Sequence, residues 1–427
     1  MQQNEKLTSS DIRTLGLAAL GGALEFYDFI IFVFFTKTLG QLFFPADMPD
    51  WLSQFQVYGI FAAGYLARPI GGVIMAHFGD RTGRKKMFTL SVFLMALPTL
   101  GIGLLPTYLQ IGIFAPLLLL FLRIMQGIAI GGEVPAAWVF VAEHVPRNRV
   151  GFACASLTSG LTAGILLGSL MASGLYTQLT PEAVLDYGWR IPFIVGGIFG
   201  LMAVWLRKWL SETPVFLALK EKKEISSEIP LKTVMKNHKT SIFVSMLITW
   251  MLTAGIVVII LMTPTLMQTQ LGISAQEAFF GNNLASFFLI IGCVVGGYFA
   301  DKIGRLLALL IGSLCLLIAV YVFYFDLVNG AKNFITLYSL AGFCVGVVGI
   351  IPSVMVAAFP AQIRFSGLSF SYNMAYAIFG AMTPPLISYL TDRLGITAPA
   401  HYVAFTAIIT VFTSFYLIKN KKDYLNN

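Results

Sequence analysis

Apolar stretches of about twenty residues, separated by short polar intervals, recur about twelve times along the chain. They lie near 14–37, 52–78, 87–106, 112–142, 150–176, 190–209, 241–268, 278–300, 306–326, 334–358, 366–390 and 400–419. A helix rises 1.5 Å per residue, so about twenty apolar residues cross about 30 Å of hydrocarbon. The two-residue alternation of a membrane β-barrel is missing. The pattern therefore predicts an all-α polytopic membrane protein. The longest polar interval, Ser211 to Thr240, contains Lys220-Glu-Lys-Lys-Glu224 and Pro230 and divides the spans six and six. This gives an N-terminal segment 1–13, a six-helix bundle 14–210, a partly helical linker 211–240, a second bundle 241–420 and a tail 421–427.

The two halves repeat one another. Asp80-Arg-Thr-Gly83-Arg84 follows the second span and Asp301-Lys-Ile-Gly304-Arg305 follows the eighth, an offset of 221 residues. Pro146-Arg-Asn-Arg149-Val-Gly151 and Pro360-Ala-Gln-Ile-Arg364-Phe-Ser-Gly367 follow the fourth and tenth spans, offset by 214. Two similar offsets imply a duplicated six-span unit in parallel orientation. Such repeats in transporters place the substrate at the interface of the halves and move it by rocking.

Composition agrees: 57% of residues are hydrophobic and 11% charged, against about 25% charged in soluble domains. The net charge of +8 does not indicate nucleic acid, because the cations fall in alternate loops. These are Arg81, Arg84, Lys85 and Lys86; Arg147 and Arg149; the run from Arg207 to Lys239; Lys302 and Arg305; and Lys419, Lys421 and Lys422. Lys37, Lys332 and Arg393 are the exceptions. This positive-inside bias places both termini in the cytoplasm. The first span has no small-residue cleavage site and reads as a retained helix. Cys154, Cys293, Cys315 and Cys344 lie in apolar spans without metal-ligand spacing and read as packing residues. No Walker loop, metal cluster or nucleophile elbow occurs, so neither an ATP-driven pump nor a membrane hydrolase is expected.

The chemistry lies inside the spans. Glu25 and Asp28 fall within Ala19–Phe34, three residues apart and therefore on one helical face. An acid at the bilayer centre costs roughly 2.5–3.5 kcal/mol and must face protein or water. Arg123, in the fourth span, lies at a depth similar to that of Asp28. Arginine favours the charged carboxylate and burial disfavours it, so a conformational change can move a proton on or off. The alternative is a permanent structural ion pair. Glu25 reads as a second proton site or a partner for a cationic substrate group, and its titration would be coupled to that of Asp28. Arg68, in the second span, suits bidentate binding of a carboxylate, or else pairs with Glu25 or Glu133. Tyr27, Gln126, Trp138, Tyr372, Asn373 and Tyr376 are candidate cavity lining, the aromatics suiting a quaternary ammonium. Asp80, Arg84, Glu143, Asp301, Arg305 and Arg364, at the cytoplasmic ends, read as a charge network closing the inner gate. His77 and His144 read as solvated loop residues.

These residues resemble the major facilitator superfamily. The most specific match is Gly72-Val-Ile-Met-Ala-His-Phe-Gly-Asp80-Arg81-Thr-Gly83-Arg84-Lys85. The metabolite–proton symporter branch is resembled in Leu24-Glu25-Phe26-Tyr27-Asp28-Phe29, Ala67-Arg68-Pro69-Ile-Gly-Gly72, Arg123-Ile-Met-Gln126-Gly127, Gly131-Gly132-Glu133, Gly188-Trp189-Arg190-Ile-Pro192-Phe193, Ser211-Glu212-Thr213-Pro214 and Ser371-Tyr372-Asn373. Two features depart from the branch. Gly22 stands where Asn is usual, and the chain ends without the long coiled-coil extension of osmosensing proline/betaine members, which counts against an osmoregulatory role and leaves betaine-type substrates open.

The resemblance implies the major facilitator fold of two pseudo-symmetric six-helix bundles. It also implies proton-coupled import of a small organic acid or zwitterion such as citrate, 2-oxoglutarate, shikimate, proline or betaine. In the similar sugar–proton symporters an acid of the first helix and an arginine of the fourth form the proton switch, which maps to Asp28 and Arg123. The expectation is a monomeric, inner-membrane secondary transporter, not an enzyme. Its partners would be the substrate, a proton and the lipid bilayer, with no cofactor and no nucleic acid. The alternatives are a proton-driven exporter, against which the fifth span's lack of a Gly-Pro motif counts, and a transport-inactive sensor.

Overall fold

A computed structural model of the chain describes residues 7–222 and 230–420, apart from the side chains of Asp50, Trp51, Gln54, Arg84 and Phe88. Twelve long helices order the described residues. In the first half they are α1 (Ser9–Phe34), α2 (Asp50–Thr82), α3 (Arg84–Leu104), α4 (Phe114–His144), α5 (Val150–Gln178) and α6 (Arg190–Arg207). In the second half they are α7 (Lys239–Leu271), α8 (Ala275–Ile303), α9 (Arg305–Val328), α10 (Phe334–Ala357), α11 (364–394) and α12 (Ala398–Lys419). Eleven of these are long and apolar enough to cross a membrane. The other, α11, is helical throughout but carries buried Ser366, Ser369, Ser371, Asn373 and Thr383, which lower its hydropathy.

Local chemistry sets the ends. α1 starts five residues before the apolar stretch because Thr8 and Asp11 form a capping box, with Asp11 N donating to Thr8 Oγ1 at 3.2 Å and Thr8 N to Asp11 Oδ2 at 2.8 Å. Gly83 (φ +120°) and Gly304 (φ +94°) each end one helix and begin the next, a turn that a side chain would strain. They occupy the same place in the two repeated motifs. The linker holds two short helices, Pro214–Glu221 and Pro230–Asn237; the Lys220 charge run extends beyond the described residues, as does the tail 421–427.

Packing repeats with the sequence. α1 lies on α5, α2 on α4 and α3 on α6; correspondingly α7 lies on α11, α8 on α10 and α9 on α12. The halves meet along α5 with α8 and α2 with α11, again related by the repeat. Small residues permit the closest crossing. A Cβ on Gly127 or Gly131 of α4 would overlap the α2 backbone at Gly64 or Arg68, as expected where close van der Waals packing drives helix association in lipid. Three helices contain wider π turns or 3-10 turns, at Gly255–Met262 in α7, Gly346–Gly349 in α10 and Tyr376–Gly380 in α11, the kind of irregularity that accompanies functional sites.

Gly127→Ala is expected to push α2 and α4 apart at a cost of about 1–3 kcal/mol, read as a fall of several degrees in the melting temperature in detergent. Gly174→Ala is the control, because its added Cβ meets nothing within 4 Å. Equal melting temperatures for the two variants would show that the α2–α4 crossing is not the tight contact described.

Candidate functional site: buried charges of the first half

Helices α1, α2, α4 and α6 bring three carboxylates and three guanidiniums into the interior. Glu25, Asp28, Glu133, Arg68, Arg123 and Arg207 are each no more than 2% exposed. Their pairing is uneven. Arg207 carries two acids: it forms an ion pair with Glu25, and its Nη2 lies 3.4 Å from Glu133 Oε1. Arg68 and Arg123 carry none, and Asp28 has no hydrogen-bond partner on either oxygen.

The expected Asp28–Arg123 pair is therefore not made. Asp28 points toward α6, where Gly196 and Gly200 leave room for it; a Cβ on either would lie 2.6 or 3.0 Å from a carboxylate oxygen. Arg123 donates from Nη1 to the Phe29 carbonyl at 3.0 Å and to Gln126 Oε1 at 2.9 Å. Its guanidinium lies 3.8 Å from the Phe29 ring centroid, 4.7 Å from that of Phe32 and 4.8 Å from that of Phe61. Nε and Nη2 of Arg123 have no partner. Gln126 serves this arginine rather than lining a cavity, its Nε2 donating to Thr99 Oγ1 at 2.7 Å.

Arg68 is not the partner of Glu25 or Glu133. Its Nε donates to Asn373 Oδ1 at 3.2 Å, across to the second half. The Tyr376, Tyr372 and Tyr65 ring centroids lie 4.0, 5.0 and 5.6 Å from its guanidinium, and Nη2 has no partner. Asn373 is fixed in turn by donating to the Gly131 carbonyl at 2.6 Å. Trp138 packs edge-on against Tyr372 with centroids 4.9 Å apart and donates to Thr158 Oγ1 at 3.1 Å. Tyr27 stands apart from this cluster: it lies on the α1–α6 contact, its hydroxyl donating to the Pro192 carbonyl at 3.0 Å.

At the end where α1 begins and α12 finishes, the halves are tied through helix N-termini. Asp80 accepts from Ser366 N at 3.0 Å and Ser366 Oγ at 2.8 Å, at the start of α11. Asp301, its repeat counterpart, accepts from Gly151 N at 2.8 Å and Phe152 N at 2.9 Å, at the start of α5. Each carboxylate sits where a helix dipole favours an anion. Arg364 Nη1 pairs with Glu143 at 3.1 Å, and Arg305 donates to the carbonyls of Ser353 and Arg147 at 3.2 Å each. The side chain of Arg84 lies outside those described. His144 closes α4, with Nδ1 2.8 Å from the Phe140 carbonyl, and His77 lies within α2, so neither is a loop residue. At the opposite end the halves part around a cavity of about 650 Å³, whose lining includes Lys37, Gln41, Tyr58, Tyr176, Gln268 and Thr269.

A family description, the Major Facilitator Superfamily, matches residues 15–370. The chain belongs to the major facilitator superfamily. It is thus a multi-pass membrane transport protein and not an enzyme. The chain is 32% identical over 425 residues to the glycine betaine/proline/ectoine/pipecolic acid transporter of Dickeya dadantii, covering 95% of this chain and 83% of that one. It is 31% identical over 413 residues to the proline/betaine transporter of Escherichia coli, covering 94% and 82%. Among solved structures, a proton:xylose symporter bound to 6-bromo-6-deoxy-D-glucose superposes with a TM-score of 0.79 at 18% identity, covering 96% of each chain. A partially occluded, inward-open xylose transporter from Escherichia coli gives 0.74 at 17%, covering 96% and 98%. At these identities the likeness establishes the major facilitator fold alone.

Sequence reasoning missed Arg207, counting it among the loop cations, and missed Tyr65, Phe29 and Phe61 around the arginines. A signal for Arg207 was present: with Gly196, Gly200 and Ala203 it falls on one face of α6, at the helical spacing of a stripe against α1.

Asp301→Asn replaces one of the two acceptor oxygens at the α5 N-terminus with a donor and removes the charge, and charge-assisted bonds of this kind are worth about 1.5–3 kcal/mol each. Cys154, in the second turn of α5, is buried and reports on this contact once the other cysteines are replaced by Ser. Asp301→Asn is expected to raise its labelling by a water-soluble maleimide by about tenfold or more. An unchanged rate would mean that this contact does not hold the halves together.

Proposed function

We propose that this facilitator imports a small zwitterion, of the betaine or cyclic amino-acid class, together with protons. It would act as a monomer in a bacterial-type inner membrane with both termini in the cytoplasm. The observation that carries the reading is the uneven pairing of the buried charges. Two guanidiniums lie between aromatic rings with unpartnered donors and no carboxylate, while one acid lies with no cation.

A buried donor without an acceptor is costly. A substrate carboxylate supplies the missing acceptor, and arginine binds it in a two-point geometry. The tyrosine faces around Arg68 suit the cationic end of the same molecule by cation–π attraction. Because the rings now close over both arginines, they must swing aside for substrate to enter. Lys37, in the cavity between the parted ends, draws a carboxylate toward them.

Asp28 fits the coupling role. As an anion without a partner it is expensive at this depth, and a proton removes the charge. In the proposed cycle Asp28 takes a proton from outside, substrate binds at Arg68 and Arg123, and the ties at Asp80, Asp301 and Glu143 break as the halves rock. Substrate then leaves, and the proton follows. Each proton entering gains about 2.3 kcal/mol per 100 mV. The relatives named for proline and betaine transport support the substrate class.

Uptake into proteoliposomes under an inward proton gradient tests this, with labelled proline, glycine betaine, citrate, 2-oxoglutarate and shikimate. Proline or betaine is expected to accumulate in wild type. Asp28→Asn should lose accumulation but keep exchange, and Arg68→Gln should weaken apparent affinity by about tenfold or more. Equal accumulation by Asp28→Asn would remove Asp28 from coupling. Gradient-driven efflux would mark an exporter, and binding without counterflow a sensor.

A further inference from the structure

The carboxylates on Arg207 lie in series with Asp28. Glu25 precedes Asp28 by about one turn of α1, toward the end where α1 begins. On α6, Arg207 follows the Asp28-facing Gly200 by seven residues, two turns along the same stripe. Glu133 joins from α4. The three side chains are 1–2% exposed, so they are closed off from water.

We infer that Glu25, Glu133 and Arg207 form a second proton-binding site, one that holds a single exchangeable proton. Two carboxylates and one guanidinium leave one negative charge when both acids are ionised. No other cation compensates it: neither glutamate has a further ion pair or hydrogen bond among the described residues. The charged and titratable groups on the surrounding helices are otherwise engaged or lie elsewhere. Tyr27 and Asp28 are on α1, Arg68 on α2 is held by Asn373, and Arg123 on α4 by Gln126. Glu143 pairs with Arg364, Asp80 on α2 accepts from Ser366, Cys154 on α5 is a buried thiol, and Lys85 and Lys86 lie in the first turn of α3, at the end where α1 begins.

Glu133 Oε2 has no partner and almost no exposure, and it is the oxygen placed to take the proton. Protonation from the aqueous phase forms one O–H bond there or on Glu25 and breaks one O–H bond of the donating hydronium. It leaves one ionised carboxylate on one guanidinium, a neutral pair. When the charge returns, the same three helices feel a net anion, so proton occupancy of the triad acts on the α1–α6 and α4 contacts that also surround Asp28. The place of this proton in a transport cycle rests on the import reading above; the occupancy of the site does not.

Infrared spectroscopy of the purified protein in lipid nanodiscs reads the occupancy directly, through the C=O stretch of a protonated carboxyl. Working above about pH 6 leaves exposed carboxylates ionised and silent, and an Asp28→Asn background removes the remaining unpartnered acid, the buried Asp80 and Glu143 being held by Ser366 and Arg364. One protonated-carboxyl band is expected there, fading as pH rises. It should vanish when either Glu25→Gln or Glu133→Gln is added, because each leaves one acid on Arg207. Glu25→Asp and Glu133→Asp, which keep the chemistry, should retain it if the Gln variants fold poorly. Absence of the band in folded Asp28→Asn protein, or its survival in either Gln variant, would overturn the site. The infrared result holds whether or not uptake is found, so failure of the import reading and failure of this site are distinguishable. Where uptake is found, Glu133→Gln should carry one proton fewer per substrate by reversal potential; an unchanged ratio would confine the triad to a structural part.

Discussion

Every charge placed in the hydrocarbon region must be compensated, and this constraint organises the interior of the protein. Three acids and three arginines lie together with almost no exposure, so the sum is neutral while the local pairing is not. Arg207 has an acid too many; Arg68 and Arg123 have none. Aromatic rings and backbone carbonyls meet the needs of those two arginines only in part. The imbalance is what a carrier requires, since groups fully satisfied by one another have no reason to bind anything that comes and goes.

The same logic, at lower stakes, runs the closed end. Across the interface Asp80 and Asp301 accept from the N-termini of α11 and α5. A helix terminus offers several N–H donors and a fixed partial charge, yet no buried ion has to be created or destroyed when the contact parts. These ties therefore suit an interface that must open and close. Their relation by the internal repeat means that the two seams, α2 with α11 and α5 with α8, are held in equivalent ways. Neither half is favoured.

Within each half the demands are opposite. Gly127 and Gly131 bring α4 against the α2 backbone, and in lipid such contact is a main source of helix cohesion. Rigid halves joined by breakable seams are the mechanical condition for rocking. The π turn in α11, running from Tyr376 to Gly380 beside the Arg68 cluster, places irregular backbone where the seam with α2 meets the binding residues.

Much of this was legible in the chain. Hydrophobic run length marked the spans, the repeated Asp-x-x-Gly-Arg motif marked the duplication, and acids inside apolar runs marked the residues of interest, because bilayer thickness and desolvation act on a sequence locally. α1 and α11 show where local reading drifts: a capping box extended the first, and a buried polar face disguised the second. The pairing of the charges was not legible. Spacing along one helix said that Glu25 and Asp28 share a face, but which arginine each meets depends on how α1, α4 and α6 rotate and cross. Arg207 looked like a loop cation because it ends its span, and Tyr27 like cavity lining because it neighbours Asp28. Depth in the membrane follows from position along a helix, which the sequence by itself determined. Partner choice follows from the azimuth and tilt of several helices packed at once, and only the tertiary structure decided that.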